Sequence, residues 1–164
     1  MDCSFPELQE LELWTCADAA ATQSHLLRAN ADHHRQGERC RFPRLERLVV
    51  ASVDASQRVP FGDVLAPVVV DAASRGVAPL PALRHLVLDD VECAGPVTGA
   101  HFASFASHFP ALQSLSLPRA PLTVRMVEGL IDAVPTLTTI ANERNPDSSL
   151  TWPGKFAHRV KFII

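Results

Sequence analysis

The 164-residue chain has no tyrosine, two tryptophans, two lysines and only seven glycines. Aromatic residues make up 6% of it, so a base-stacking surface would have few rings to work with. The formal net charge is −3, the wrong sign for a generally basic nucleic-acid binder, and no nucleic-acid partner is expected. Long apolar runs are also missing. The longest, over 64–70, is interrupted by Pro67 and falls far short of the roughly 20 residues that a membrane span needs, so no membrane association is expected. Residues 1–15 carry Asp2, Glu7, Glu10 and Glu12 with no basic start, which is not the composition of a secretory leader. Cys3, Cys16, Cys40 and Cys93 contain no C-x-x-C pair, and no Asn-x-Ser/Thr acceptor occurs. Free thiols in a reducing compartment, cytoplasmic or nuclear, are the expectation. There is no phosphate-cradling P-loop, no G-x-G-x-x-G and no G-x-S-x-G, and no cofactor is expected.

What the chain does have is apolar mass and proline. Hydrophobic residues reach 47%, a globular composition, and there are 13 prolines. Five of the prolines share a context. Phe5-Pro6-Glu7-Leu8-Gln9-Glu10-Leu11-Glu12-Leu13 is followed by Phe42-Pro43-Arg44-Leu45-Glu46-Arg47-Leu48-Val49-Val50. Leu80-Pro81-Ala82-Leu83-Arg84-His85-Leu86-Val87-Leu88 and Phe109-Pro110-Ala111-Leu112-Gln113-Ser114-Leu115-Ser116-Leu117 continue the series. Val134-Pro135-Thr136-Leu137-Thr138-Thr139-Ile140 is a fifth copy that decays at Asn142. The shared pattern is apolar-Pro-x-Leu-x-x-Leu-x-Leu, with Pro6, Pro43, Pro81, Pro110 and Pro135 spaced 37, 38, 29 and 25 residues apart.

The L-x-L step has the period of a strand and sends alternate side chains to opposite faces. Leu11 and Leu13, Leu48 and Val50, Leu86 and Leu88, and Leu115 and Leu117 should point inward, with Leu8, Leu45, Leu83 and Leu112 filling the turn into each strand. Proline fits just before a strand, where no ladder N–H is needed. Helices are expected between the strands, over 17–30, 62–74, 99–108 and 123–133. The last has the clearest apolar stripe (Met126, Val127, Leu130, Ile131), and Thr123 is its expected N-cap.

The pattern resembles the leucine-rich repeat, L-x-x-L-x-L-x-x-N/C-x-L, whose usual period is roughly 20–29 residues. The resemblance covers about residues 5–141. Of the ninth-position residues Cys16, Val53, Val91 and Ala120, only the first matches the family's Asn or Cys. The resemblance implies an α/β fold, a right-handed horseshoe solenoid with a parallel concave sheet and convex helices, forming one domain over 1–164. Repeats start near 5, 42, 80, 109 and 134, with insertions near 30–41 and 54–79. Residues 142–164 form a C-terminal extension or cap, in which the stretch from His158 can add a final strand.

In this family the non-leucine strand positions line the concave, partner-binding face. Here they are Glu10, Glu12 and Trp14, then Arg47 and Val49, then His85, Asp89 and Asp90, then Ser114, Ser116 and Arg119. Glu10 is expected beside Arg47 and Asp90 beside Arg119, either as ladder pairs or as a mixed-charge docking face with Trp14 as its anchor. The repeats look most like the substrate arm of F-box/leucine-rich-repeat proteins, which implies a non-catalytic protein–protein interaction module and ubiquitin ligase substrate recognition. No F-box-like helical segment precedes residue 5, so recruitment would come from another subunit or a missing N-terminus. Three weaker features stand beside this. Residues 28–47 hold six arginines against three acids, which reads as a solvated loop that can touch acidic protein or phosphate. Asp32-His33-His34 with Cys40 offers ligand types without the paired spacings of zinc sites, so no metal is expected. Ends that lack covers allow self-association, and an orphan self-assembling protein or a Cys/His-dependent enzyme are the alternative readings.

Overall fold

Each apolar-Pro-x-Leu segment folds into a tight turn. In the computed structural model, which describes residues 5–15, 42–52, 59–60, 80–88, 91–92, 105–106, 109–118, 122–142 and 154–163, the amide of Leu8 donates to the carbonyl of Phe5. Leu45 donates likewise to Phe42, Leu83 to Leu80, Leu112 to Phe109 and Leu137 to Val134, all at 3.1–3.3 Å. These are β-turns with proline at the second position, where its fixed φ matches the turn and its missing N–H is not called upon. The proline therefore shapes the turn as well as preceding the strand.

The strands follow: β1 (Glu10–Thr15), β2 (Arg47–Ser52), β3 (Val59–Pro60), β4 (His85–Leu88), β5 (Val91–Glu92) and β6 (Ser114–Ser116). Helix α1 (Val124–Ala133) precedes β7 (Thr139–Ala141), and a single 3-10 turn (Gly154–Phe156) precedes β8 (Lys161–Ile163). Six strands form one parallel sheet in the order β1-β2-β4-β6-β7-β8, while β3 and β5 form a separate parallel pair. That pair draws residues 59–60, inside the expected 54–79 insertion, back to a segment that follows β4. The described part is thus α/β, with an open parallel sheet in which each strand neighbours the next in chain order. The sixth strand, expected from His158 onward, occupies Lys161–Ile163 and pairs with β7.

One backbone row ties the turns together. The carbonyl of Gln9 accepts the amides of both Glu46 and Arg47, at 2.8 and 3.0 Å. Glu46 accepts from Arg84 and His85, Arg84 from Gln113 and Ser114, and Gln113 from Thr138 and Thr139. Each carbonyl uses both lone pairs on the following unit, so the position is satisfied by backbone whatever its side chain.

The leucine positions form the core. Leu45, Leu83, Leu112 and Leu137 are fully buried, and Leu48, Val50, Leu86, Leu88, Leu115 and Leu117 are 0–3% exposed. Each contributes about 1.5–3 kcal/mol of burial. Leu8 and Leu11 of the first unit are only partly buried. In the fifth unit Asn142 takes the last leucine place and is buried there, which is where the sequence pattern decays. Helix α1 lies on this leucine side, its Met126, Val127, Leu130 and Ile131 joining the same cluster. Thr123 caps it as expected, its hydroxyl accepting the Met126 amide at 3.3 Å. Phe105 and Ala106 are helical, and the Phe105 ring meets Phe109 edge-on with centroids 4.9 Å apart. The expected helices over 17–30 and 62–74, and the rest of 99–108, lie outside the described residues.

Candidate functional site

Parallel pairing in constant register lines up two rows on the face opposite the leucines. The first runs Glu10, Arg47, His85, Ser114, Thr139, Lys161 across the six strands. The second runs Glu12, Val49, Val87, Ser116, Ala141, Ile163. Equivalent residues on adjacent strands sit about 4.8 Å apart, so each row is a continuous stripe.

The stripe is graded in chemistry. Glu10 and Glu12 are exposed at β1, Arg47 is half-buried at β2 and His85 is exposed at β4. Ser114, Ser116 and Thr139 give a half-buried hydroxyl section, and Lys161 is exposed at β8. Sequence reasoning did not include Thr139, Lys161 and Ile163, because the fifth copy decays and the sixth unit carries neither the proline nor the leucine of the pattern. The signal that was available is Phe162-x-Ile164, an L-x-L-like step.

Two details differ from expectation. Glu10 is the register partner of Arg47, as expected, but the guanidinium bonds Glu12 instead, Nη1 to Oε1 at 2.5 Å. Glu12 is the diagonal neighbour on the same face, within reach of a long side chain. With side chains 35% and 47% exposed, the pair is worth about 0.2–1 kcal/mol. A second cross-unit pair, Arg44 with Glu7, joins the turns and is more exposed still. Val49 was expected to present partner-binding surface, yet it is 7% exposed and offers very little. It sits mid-sheet with in-register neighbours Glu12 and Val87 on either side, and Ala51 beyond it is 3% exposed. Neither belongs to the leucine core cluster, so at β2 this face is apolar and buried, while His85, Val87, Ser114 and Ser116 on the next strands keep accessible surface.

The backbone of Trp14 pairs opposite Ala51 in β1, at the far end of the Glu10–Glu12 face. Asp89, Asp90 and Arg119 lie outside the described residues, and so does the expected Asp90–Arg119 pair. The same is true of Asp32, His33, His34, all four cysteines and the arginines of 28–41. Among the described residues no group of three or more His, Cys, Asp or Glu is placed to hold a metal ion, and no helix is long and apolar enough to cross a membrane.

One buried-edge contact was not anticipated. Arg159 donates to the carbonyls of Ile131 and Val134 at 2.6 and 2.8 Å. These are groups at the C-terminal end of α1, where a cation and a donor are both favourable.

No family model, no curated protein and no solved structure matches the chain.

Proposed function

We propose that the chain is a short leucine-rich-repeat solenoid that binds a partner protein through the exposed face of its sheet, without catalysis and without a cofactor. The observation that supports this best is the division between the two faces. The leucine side is filled by the core and α1, while the opposite side carries Glu10, Glu12, Arg47, His85, Ser114 and Ser116 at constant register. Five proline turns and in-order parallel strands are what a strand-turn-helix repeat produces when each crossover has the same hand. A rigid sheet with chemically different residues at equivalent positions suits protein recognition. The F-box/leucine-rich-repeat resemblance extends the reading to a substrate arm of a ubiquitin ligase acting in cytoplasm or nucleus.

Affinity capture from the native host tests the face. Arg47→Glu, His85→Ala and Trp14→Ala are expected to lose a partner that the wild-type chain and an Arg125→Ala variant, altered on the exposed side of α1, both retain. Normal capture by all three sheet-face variants together with loss in Arg125→Ala would assign the wrong surface.

A further inference from the structure

The two outer strands of the described sheet are complementary to each other. Among the described residues nothing pairs with the outer side of β1 or of β8. Extended by one step in the same register, the row that ends at Lys161 would meet Glu10, and Ile163 would meet Glu12. Lys161 would then flank the β1 carboxylates on one side as Arg47 flanks them on the other.

The backbone row has the same polarity. In the inner units the amides of the ninth- and tenth-residue equivalents donate back to one carbonyl of the preceding unit. Repeat equivalence turns the Gln9 and Glu10 amides toward the outer side of β1. At the other end Val160 occupies the carbonyl position that Gln9, Glu46, Arg84, Gln113 and Thr138 fill in earlier units. Bonds in the other direction complete the ladder, the amides of Leu117 and Asn142 donating forward to the carbonyls of Ala141 and Ile163, so each outer edge presents both donors and acceptors and the two edges fit as a further parallel pair.

Apolar surface in the turn row also fits. Phe5 in the first unit is 50% exposed, whereas the exposed Ile163 of the last unit lies in the Glu12 row and takes no part in this match. Phe5 stacks on Phe42 of the next unit, with centroids 5.9 Å apart and rings 3° from parallel. Phe156 holds the equivalent place in the last unit, so a continued row brings it to the open side of a following Phe5.

From these three matches we infer that the chain associates head to tail with a second copy of itself, the β8 edge of one copy adding to the β1 edge of the next. An edge strand is a template for such pairing. Pairing β1 with β1 would bring the Glu10 and Glu12 carboxylates of the two copies together. The β1–β8 contact is heterologous, so it repeats into an open series rather than closing at two copies. The inference rests on register and end chemistry, independently of what the exposed face binds.

Sedimentation velocity of the full chain over a wide concentration range tests it. The expected result is a series of growing species that high salt shifts back toward one copy. Lys161→Glu alone and Glu10→Lys alone should each weaken association about fivefold or more, a cross-strand charge pair having been turned into a repulsion. Both substituted positions are exposed, and mixing the two variants should restore association, which also shows that each is folded. A wild-type chain that stays single at every concentration overturns the inference. So does association that neither reversal changes, or a largest species of two.

Discussion

Arg159 shows how one residue can hold a repeat position with different chemistry. It stands where Leu8, Leu45, Leu83, Leu112 and Leu137 stand in earlier units, three residues after the apolar residue of its turn, with its amide bonded to the Phe156 carbonyl at 2.8 Å. A leucine there fills space, whereas the arginine stem reaches on to two carbonyls at the end of α1. Arg159→Ala should lower the unfolding free energy by about 1.5–3 kcal/mol in urea denaturation, the value of a hydrogen bond from a charged donor. Arg159→Lys keeps the charge but loses the planar fork, so it should recover only part of that. Nothing in the local sequence signals this role, because the acceptors lie 28 and 25 residues earlier in the chain. The same limit explains Arg47. Its position beside Glu10 follows from repeat alignment alone, but its choice of Glu12 depends on rotamers that alignment does not contain. Val49 alternates correctly to the non-leucine face and is nevertheless covered, since alternation assigns a face and does not say how crowded it is.

At the scale of the element, the turn and its first leucine act as a unit that the sequence displays openly. Proline restricts the unfolded chain at a position whose native φ it already fits, so Pro110→Ala should cost about 0.4–1 kcal/mol. Leu112→Ala, at a fully buried site, should cost about 2–5 kcal/mol. Chemical denaturation of the two variants separates restriction of the chain from filling of the core: if both lose the same amount, that division is wrong. Strand positions were legible because Pro, Leu and L-x-L recur together, and α1 was legible because its stripe and its Thr123 cap agree. The role of proline inside a β-turn was not legible, since the hydrogen bond across it is invisible in a list of residue types. The last unit was half legible. Its strand has the L-x-L-like step, while Ala157 and Arg159 replace the two markers by which its turn would have been recognised.

For the molecule as a whole, burial is deepest in the middle of the sheet and shallower at both sides. Leu48, Leu86 and Leu115 are nearly or fully buried, while Leu11 and Phe162 in the same row are partly buried. Openings that expose the outer strands should therefore take less free energy than those that expose β4 and β6. Amide exchange is expected to be slowest for Leu86 and Leu115 and faster for β1 and β8, with the outer strands gaining protection as concentration rises if copies associate through them. Uniform exchange across the six strands would contradict the gradient. The constant register also acts as a ruler. Five inter-strand steps of about 4.8 Å make the exposed face roughly 24 Å wide. A polypeptide laid across it in extended form advances about 3.3 Å per residue, so about seven residues reach from the carboxylates of β1 to the ammonium of β8. On the proposed reading, a partner segment of that length would meet acid, base, hydroxyl and base again in a fixed sequence, and the face would then discriminate N-to-C direction as well as composition.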